Sequence, residues 1–424
     1  MTITIGEVFD TLVGADAPVD FRAFDGSRGG SGEGVKIRLQ SPKGLNYLLT
    51  APGDLGLARA YLTDELIIEG IDQGDPYEVY KLLRDHLQIR RPGLKQTPAF
   101  VALMRQYGIR NPSLPEIEAP TPLRRLARGL RHGRGRDAEA IHHHYDVSNA
   151  FYEVLLGPSM AYTCAVYPTD DATLEEAQAH KHDLICRKLG LKPGARLLDV
   201  GCGWGGMVRH AVENYGVTAI GVTLSEQQAE WGRAMLAERG LTDRAQIRFQ
   251  DYRDVTEGDF DAISSIGLTE HIGPENYGSY FRFLRSKLRD RGRLLNHTIT
   301  RPDNKHPGVP QGGFINRYVF PDGGLTGSGD IVRVMEDEGL EVHHQENLRQ
   351  HYARTTRAWC KNLSADWEKC VVEVGLPTAR VWGLYLAGSS LAFERNEIQL
   401  HQILATKTDA DGGADYPLRP EFGV

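Results

Sequence analysis

The stretch Arg196–Gly206, RLLDVGCGWGG, decides the fold of this chain. Its apolar part, Leu197–Val200, predicts a buried strand, and Asp199 lies near the end of that strand. Four glycines follow, at Gly201, Gly203, Gly205 and Gly206. Glycine lets a backbone turn tightly and approach a ligand, because it has no Cβ. The next residues, MVRHAVENYG, have apolar positions at helical spacing. A strand, a glycine turn and a helix form the opening unit of a nucleotide-binding α/β sheet, in which ligands lie beyond the carboxyl ends of the strands.

The glycine turn has two interpretations. Its spacing matches G-x-G-x-x-G, the fingerprint of dinucleotide-binding proteins. Such a protein carries an acidic residue at the end of the second strand, about 20 residues later, to bind the ribose hydroxyls. Here that place is occupied by Thr223, Leu224 and Ser225. An acidic residue followed by G-C-G-W-G instead resembles the first motif of S-adenosylmethionine (SAM) methyltransferases, which favours SAM over NAD.

Composition is that of a soluble globular enzyme, with 424 residues, 41% hydrophobic and 25% charged. The chain has no apolar run of about 18 residues and no secretory signal at its N-terminus, so we expect a cytoplasmic protein. Its five cysteines are widely spaced without a CxxC pair, which favours free thiols and predicts no metal site. The net charge of −7 argues against a nucleic-acid partner.

The predicted domains are a small N-terminal domain over residues 1–122, an Arg-rich linker over 123–141 and a larger domain over 142–424. In the first domain we expect a strand at Val35–Pro42 and helices around Leu55–Leu62 and Pro76–Arg91. In the larger domain, strand candidates alternate with helices: RLLDV, TAIGVTL, IRFQDY, FDAISSI and RLLNHTI. The predicted fold class is therefore α/β, a Rossmann-like, mostly parallel sheet of the class I SAM-dependent methyltransferase type, preceded by a small mixed α/β domain.

The linker is unusually basic for a chain with a net negative charge. It contains six arginines within 14 residues: Arg124, Arg125, Arg128, Arg131, Arg134 and Arg136. They form either a solvated linker or a patch for anionic phospholipid head groups, where each basic residue contributes ~1 kcal/mol. Nucleic acid is a third alternative, although no aromatic residue is interleaved to stack on bases.

Several polar residues have both a functional and a structural interpretation. Glu270 and His271 follow the strand FDAISSI, at a sheet edge where ligands bind. His297, near the end of LLNHTI, is either a site residue or a satisfied core histidine. Cys164, among aromatic residues in YTCAVY, is either functional or a buried structural thiol. Gln228 either completes a capping box with Ser225 or contacts the cofactor.

Seven sequence motifs occur in order along the larger domain. Together they resemble the cyclopropane fatty acid synthase family, which includes mycolic acid methyltransferases. They are HHYDVSNAFYEVLLGPSMAYTCAVY, LLDVGCGWGGM, GVTLSEQQ, SIGLTEHIG, NHTI, INRYVFPDGGL and ENLRQHYARTTRAW. The match runs from about His142 to LHQILATK and extends less securely to DLGLARAYL in the first domain.

The resemblance implies methylation of the cis double bond of an unsaturated acyl chain in a membrane phospholipid. The π bond attacks the methyl group of SAM, and a bound bicarbonate then removes a proton from the resulting carbocation. By motif, the bicarbonate ligands fall on Cys164, Glu270, His297, the Ile299 backbone and Tyr352. The SAM-binding positions fall on Tyr162, Thr163, Asp199, Gly201, Gly203, Thr223, Leu224, Gln228 and Ile266. Tyr252 and Arg253 stand on the adenine side, where mycolic relatives have Trp–Glu.

Two products are compatible with the same residues. Proton loss from the added methyl closes a cyclopropane, whereas a hydride shift followed by proton loss leaves an exocyclic methylene. The N-terminal segment resembles actinobacterial enzymes that make 10-methylene chains from oleoyl phospholipid, after which a separate reductase gives the 10-methyl (tuberculostearic-type) acid. By resemblance, the first domain captures lipid and makes dimer contacts at the inner face of the membrane. The alternatives are cyclopropane formation, N- or O-methylation of a small molecule, and lipid binding without catalysis.

Overall fold

A computed structural model describes residues 3–71, 74–86, 97–110, 112–118, 148–305, 313–320 and 324–422. The predicted linker, its six arginines and the predicted boundaries at residues 122 and 142 lie outside the described residues. They therefore remain predictions.

The described residues form both helices and strands. The helices are α1 (Ile5–Val13), α2 (Pro42–Thr50), α3 (Asp54–Leu62), α4 (Tyr77–His86), α5 (Thr97–Gln106), α6 (Asn149–Leu156), α7 (Leu174–Leu189), α8 (Gly206–Tyr215), α9 (Glu226–Glu238), α10 (Thr269–Ile272), α11 (Tyr277–Lys287), α12 (Phe314–Tyr318), α13 (Ser328–Asp337), α14 (Arg349–Ala365), α15 (Trp367–Val374) and α16 (Leu376–Glu394). The strands are β1 (Val19–Ala23), β2 (Arg28–Gly29), β3 (Val35–Leu39), β4 (Leu66–Ile68), β5 (Arg196–Val200), β6 (Thr218–Thr223), β7 (Ala245–Phe249), β8 (Phe260–Ile266), β9 (Leu288–Thr300), β10 (Glu341–Asn347) and β11 (Gln399–Thr406).

The chain divides into two compact units that are not contiguous in sequence. The first comprises Met1–Arg125, Pro310–Val319 and Leu363–Leu391. The second comprises Leu126–Val309, Phe320–Asn362 and Ala392–Val424. Two later segments thus group with the N-terminal residues, although sequence analysis assigned them to the larger domain.

The first unit contains a four-stranded sheet in the order β2-β1-β3-β4. The predicted strand at Val35 and the predicted helix around Leu55–Leu62 are both present, as β3 and α3. Along β3 the apolar side chains are buried and the basic ones exposed, as expected for a strand with one covered face. The helix predicted around Pro76–Arg91 is present as α4, which begins at Tyr77, and residues 87–91 lie outside the described residues.

The second unit contains a seven-stranded sheet in the order β10-β11-β9-β8-β5-β6-β7. Strands β5 to β9 pair with one another in parallel, which confirms the predicted fold class. Two antiparallel strands, β11 and β10, extend the sheet beyond β9. Successive residues of β5 face opposite sides, since Leu197 packs in one apolar cluster and Leu198 in the other. The central strand is therefore buried on both faces, as in parallel sheets covered by helices.

The described part of the chain contains no helix that is both long and apolar enough to cross a membrane.

Candidate active site

A pocket lies at the carboxyl ends of β5, β6 and β8. The residues predicted to bind the cofactor all line it: Tyr162, Thr163, Asp199, Gly201, Gly203, Thr223, Leu224, Gln228, Tyr252, Arg253 and Ile266. They come from separate strands, loops and helices, so the fold brings together positions spread over about a quarter of the chain. Their contacts to a cofactor remain predictions.

The glycine turn forms the floor of this pocket because its backbone adopts conformations that other residues avoid. Gly201, Gly203 and Gly205 have φ values of +72°, +54° and +84°. A Cβ on Gly205 would lie 2.2 Å from Ile247 Cδ1. The positive φ values and this close approach explain why the turn is built from glycine.

Asp199 lies at the end of β5, where only 2% of its surface is exposed. Its Oδ1 accepts a hydrogen bond from Ser264 Oγ on the neighbouring strand at 2.6 Å. Burial raises the pKa of Asp199 to about 7, against the opposing effects of that hydrogen bond and of Lys181. This carboxyl therefore responds strongly to any charge that enters the pocket.

The Gln228 side chain does not make the hydrogen bond that a capping box requires. Ser225 Oγ does accept from Gln228 N, at 3.3 Å, and so caps α9. The Gln228 side chain, however, does not return to the Ser225 backbone, because its Oε1 accepts from Thr223 Oγ1 at 2.8 Å. Capping thus belongs to Ser225, and the buried Gln228 amide is left facing the pocket.

Tyr252 and Arg253 are held in place on the opposite wall. The Tyr252 ring packs edge-on against Tyr280 and Phe283, with centroid distances of 5.2 and 5.5 Å. Arg253 forms an ion pair with Asp251, at 2.6 Å between Nη2 and Oδ2. Both residues line the pocket despite their departure from the Trp–Glu of mycolic relatives.

Lys181 also lines the pocket and was missed by the sequence analysis. Its Nζ donates to Thr163 Oγ1 at 2.8 Å, and burial lowers its pKa to about 7. Lys181 and Lys188 occupy the buried stripe of α7 together with Ala177 and Leu184, at positions i, i+4, i+7 and i+11. A lysine at apolar helical spacing is a signal that could have identified both residues.

Of the five predicted bicarbonate ligands, Cys164, Glu270 and His297 are direct neighbours of residues that line the pocket. Cys164 follows Thr163, Glu270 precedes His271, and His297 pairs in the sheet with Ile266. The Ile299 amide donates to Glu270 Oε1 at 2.7 Å. The thiol of Cys164 is 3.8 Å from Leu348 O, which also accepts the Tyr352 amide at 3.1 Å. The structure thus groups Glu270 with Ile299 and His297 at the sheet, and Cys164 with Tyr352 at the start of α14.

Two buried polar atoms of this cluster have no hydrogen-bond partner among the described residues, namely Glu270 Oε2 and His297 Nε2. Glu270 is partly buried as a residue, but this oxygen is not accessible to solvent. An unpartnered polar atom inside a protein costs about 1–3 kcal/mol, so a polar group bound beside these two atoms would offset that cost.

Burial sets the protonation states of the same cluster. It raises the pKa of Glu270 to about 7, although the Ile299 amide opposes the change. It holds the pKa of His297 well below the usual range, with further lowering by the cations Lys181 and Lys188. It raises the pKa of the Cys164 thiol. At neutral pH the group at the sheet therefore contains a neutral imidazole and a carboxyl near its midpoint, and the group at the start of α14 contains a protonated thiol.

A string of aromatic rings runs between the pocket and Tyr352. Tyr352 stacks on Phe393 at a centroid distance of 4.5 Å and meets Trp359 edge-on at 6.1 Å. Trp359 lies 5.3 Å from Tyr162, which lines the pocket. The rings supply an apolar wall with π-faces that attract positive charge.

The chain matches the family model described as mycolic acid cyclopropane synthetase over residues 132–403. It is 55% identical over 404 residues to the probable fatty acid methyltransferase Rv3720 of Mycobacterium tuberculosis, covering 95% of this chain and 94% of that protein. It is 36% identical over 269 residues to the cyclopropane-fatty-acyl-phospholipid synthase of Escherichia coli, covering 63% and 68%.

Among solved structures, the chain is similar to mycolic acid cyclopropane synthase CmaA1 complexed with SAH and CTAB. The TM-score is 0.60 with 32% sequence identity, and the match covers 64% of this chain and 98% of that one. The family model covers more than half of the chain, and the Mycobacterium tuberculosis relative covers nearly all of it. The chain therefore belongs to the mycolic acid cyclopropane synthetase family and is a SAM-dependent methyltransferase.

Proposed function

We propose that the protein methylates the cis double bond of an unsaturated fatty acyl chain in a membrane phospholipid and leaves a 10-methylene branch. The observation that carries the proposal is the adjacency of two sites. A pocket built on the glycine turn lies next to buried polar groups, of which Glu270 Oε2 and His297 Nε2 have no partner among the described residues. One site suits a methyl donor, and the other suits a small polar group beside it.

The residues of the pocket fit SAM, which supplies the methyl group. The glycine turn leaves space against the backbone, and Thr223 and Gln228 present buried polar atoms at the end of β6. The rings of Tyr162 and Trp204 line the same pocket and offer π-faces to a sulfonium cation. Asp199 carries a carboxyl whose ionisation a nearby cation favours.

The polar cluster fits bicarbonate, which when bound supplies the base for the final proton removal. A bicarbonate ion has one hydroxyl donor and several acceptor oxygens, and the cluster offers both an unpartnered carboxylate oxygen and an imidazole nitrogen. Glu270 Oε2 accepts a hydrogen bond and is oriented by the Ile299 amide at its other oxygen. Because burial keeps the Cys164 thiol protonated, it acts as a polar neighbour rather than as a nucleophile.

The aromatic string protects this chemistry from water. A carbocation is quenched by water, so it needs an apolar, closed surrounding until its proton leaves. Tyr152 and Trp359 are fully buried, and Tyr352 is 7% exposed. These rings exclude water and stabilise positive charge through their faces.

A fatty acyl substrate is supported by the names of the relatives, a probable fatty acid methyltransferase and a cyclopropane-fatty-acyl-phospholipid synthase. The second name also favours cyclopropane formation as the alternative product. We assign the arginines of residues 124–136, outside the described residues, to anionic head groups at the inner face of the membrane. We also propose that the protein forms a dimer and that a separate reductase acts on the methylene product.

Product analysis tests the proposal. The purified protein is incubated with SAM and vesicles of oleoyl phospholipid, and the fatty acid methyl esters are analysed by mass spectrometry before and after ozonolysis. Both candidate products gain one CH₂. We expect a product that ozonolysis converts to a ketone, because only the exocyclic methylene retains a double bond. An ozone-resistant product would establish cyclopropane formation, and an unchanged lipid would refute lipid methylation.

Replacing Gln228 separates cofactor binding from helix capping. Gln228→Leu removes a buried amide from the pocket and should weaken SAM binding about tenfold, corresponding to one lost hydrogen bond of about 1.5 kcal/mol. Ser225→Ala removes the cap of α9 and should lower the free energy of unfolding by about 1 kcal/mol while leaving SAM affinity unchanged. Calorimetric SAM titration and urea denaturation measure the two quantities. Equal SAM affinity in Gln228→Leu and wild type would contradict the assignment.

Replacing Glu270 tests both its role and its titration. The folded protein holds the Glu270 proton up to about pH 7, whereas a solvated glutamate carboxyl releases it near pH 4.5. The contribution of this group to the free energy of unfolding therefore falls as pH rises from 4.5 to 7. Glu270→Gln removes that dependence, so we expect its stability relative to wild type to increase across this range, while methyl transfer falls on the order of 10²-fold.

Glu275→Gln, at an exposed carboxyl five residues away, is the matched control. It should change neither the pH dependence of thermal unfolding nor the methylation rate. A stability difference between Glu270→Gln and wild type that does not vary with pH would show that Glu270 does not titrate in the folded protein as described. Full activity in Glu270→Gln would remove it from the reaction.

A further inference from the structure

We propose that Gln402, itself oriented by Lys188, fixes His297 in the tautomer that carries its proton on Nε2, so that His297 presents a hydrogen-bond donor to the bound anion. The inference rests on the proposed function, because the anion proposed there is the group that accepts the hydrogen bond from His297. Gln402 and Lys188 are positioning residues, since they act through His297.

Three buried side chains stand in series across α7, β11 and β9. Lys188 Nζ donates to Gln402 Oε1 at 2.7 Å. Gln402 Nε2 lies 3.2 Å from His297 Nδ1. Gln402 and His297 are register partners on antiparallel strands, which holds the amide and the imidazole side by side. Lys188 and Gln402 are each 1% exposed and His297 is 0% exposed, so water does not compete for these bonds.

Lys188 determines the donor and acceptor roles of the other two side chains. A lysine ammonium has donors only, so the atom of Gln402 that faces it is the carbonyl oxygen. The amide nitrogen then faces His297, and it also has donors only. His297 Nδ1 must therefore accept and carries no proton. A flipped amide would set its NH₂ group against the ammonium and is excluded by the same rule.

Two further groups hold Lys188 in the donor state. Its ammonium forms an ion pair with the Glu346 carboxylate, which opposes the lowering of the Lys188 pKa by burial. It also lies 5.6 Å from the centre of the Phe422 ring, within cation–π distance. Lys188 is thus charged, buried and fixed between Glu346 and Gln402.

His297 is a neutral imidazole in these surroundings, because burial and the nearby cations hold its pKa well below the usual range. A neutral imidazole with an unprotonated Nδ1 has its proton on Nε2. That Nε2 is the buried nitrogen without a partner among the described residues. A donor at His297 and an acceptor at Glu270 Oε2 match an ion that has both an anionic oxygen and a hydroxyl. With the other tautomer, two acceptors would face the anion, and binding would be opposed.

The tautomer can be observed directly in the protein without SAM or lipid. Wild-type protein labelled with [¹⁵N]histidine is studied by long-range ¹H–¹⁵N correlation, and the His297 signals are assigned by their loss in His297→Gln. We expect a ¹⁵N shift typical of an unprotonated nitrogen at Nδ1 and of a protonated nitrogen at Nε2. A protonated Nδ1, or averaged shifts that show both tautomers, would overturn the inference.

Gln402→Glu replaces the amide donor that faces His297 Nδ1 with an acceptor, and the side chain keeps nearly the same shape. A carboxylate at this position accepts from Nδ1, so the His297 proton should move to Nδ1, and methyl transfer should fall about 10- to 100-fold with SAM affinity unchanged. Gln399→Glu, on the same strand but paired with Thr300, is the matched control and should keep the wild-type spectrum and rate. Unchanged activity in a folded Gln402→Glu protein would overturn the inference.

The failure of this inference is distinguishable from the failure of the proposed function. A protonated Nδ1 in a wild-type enzyme whose lipid methylation requires bicarbonate would overturn the tautomer alone. The expected spectrum in an enzyme that does not methylate lipid would overturn the proposed function. If Gln402→Glu does not fold, the wild-type spectrum still decides the tautomer.

Discussion

Desolvation at the carboxyl ends of β8 and β9 is the constraint on which the site depends. Polar groups withdrawn from water favour their neutral forms, and this one cause raises the pKa values of Glu270 and Cys164 and lowers that of His297. The result is a buried cluster with little net charge and two unpartnered polar atoms. We propose that a small anion with a hydroxyl satisfies both atoms and supplies the hydrogen bonds that burial removed.

The same fold places the pocket that we propose for the methyl donor beside these polar groups. Thr163 and Cys164 are consecutive, as are Glu270 and His271, and in each pair one residue lines the pocket while the other belongs to the cluster. The β8–β9 pairing adds a third link, because Ile266 lies opposite His297. Backbone connectivity therefore fixes the position of the pocket relative to the polar groups. Neither can move unless the shared backbone segments move as well.

Local patterns predicted the parts of the structure that depend on local physics. The glycine turn and the five parallel strands follow from strand burial and from the need for positive φ. Most of the pocket-lining residues were instead expected from the resemblance to the family. Lys188 and Gln402 were not predicted, since their roles depend on contacts between residues more than 100 positions apart. The capping box is incomplete for a similar reason. Thr223, on the preceding strand, donates a hydrogen bond to the Gln228 side chain, which therefore does not bond to the backbone at the start of the helix. The grouping of Leu363–Leu391 with the N-terminal unit is equally a long-range property.

The central claim is that a bound anion occupies the cluster around Glu270 and His297 during methyl transfer. The most direct measurement is the rate of lipid methylation at fixed pH in buffer freed of carbon dioxide, followed by titration with bicarbonate. The account predicts a low initial rate that rises and saturates as bicarbonate is added, with chloride at equal ionic strength having no effect. A rate that is already maximal without bicarbonate, and unchanged by it, would contradict the account.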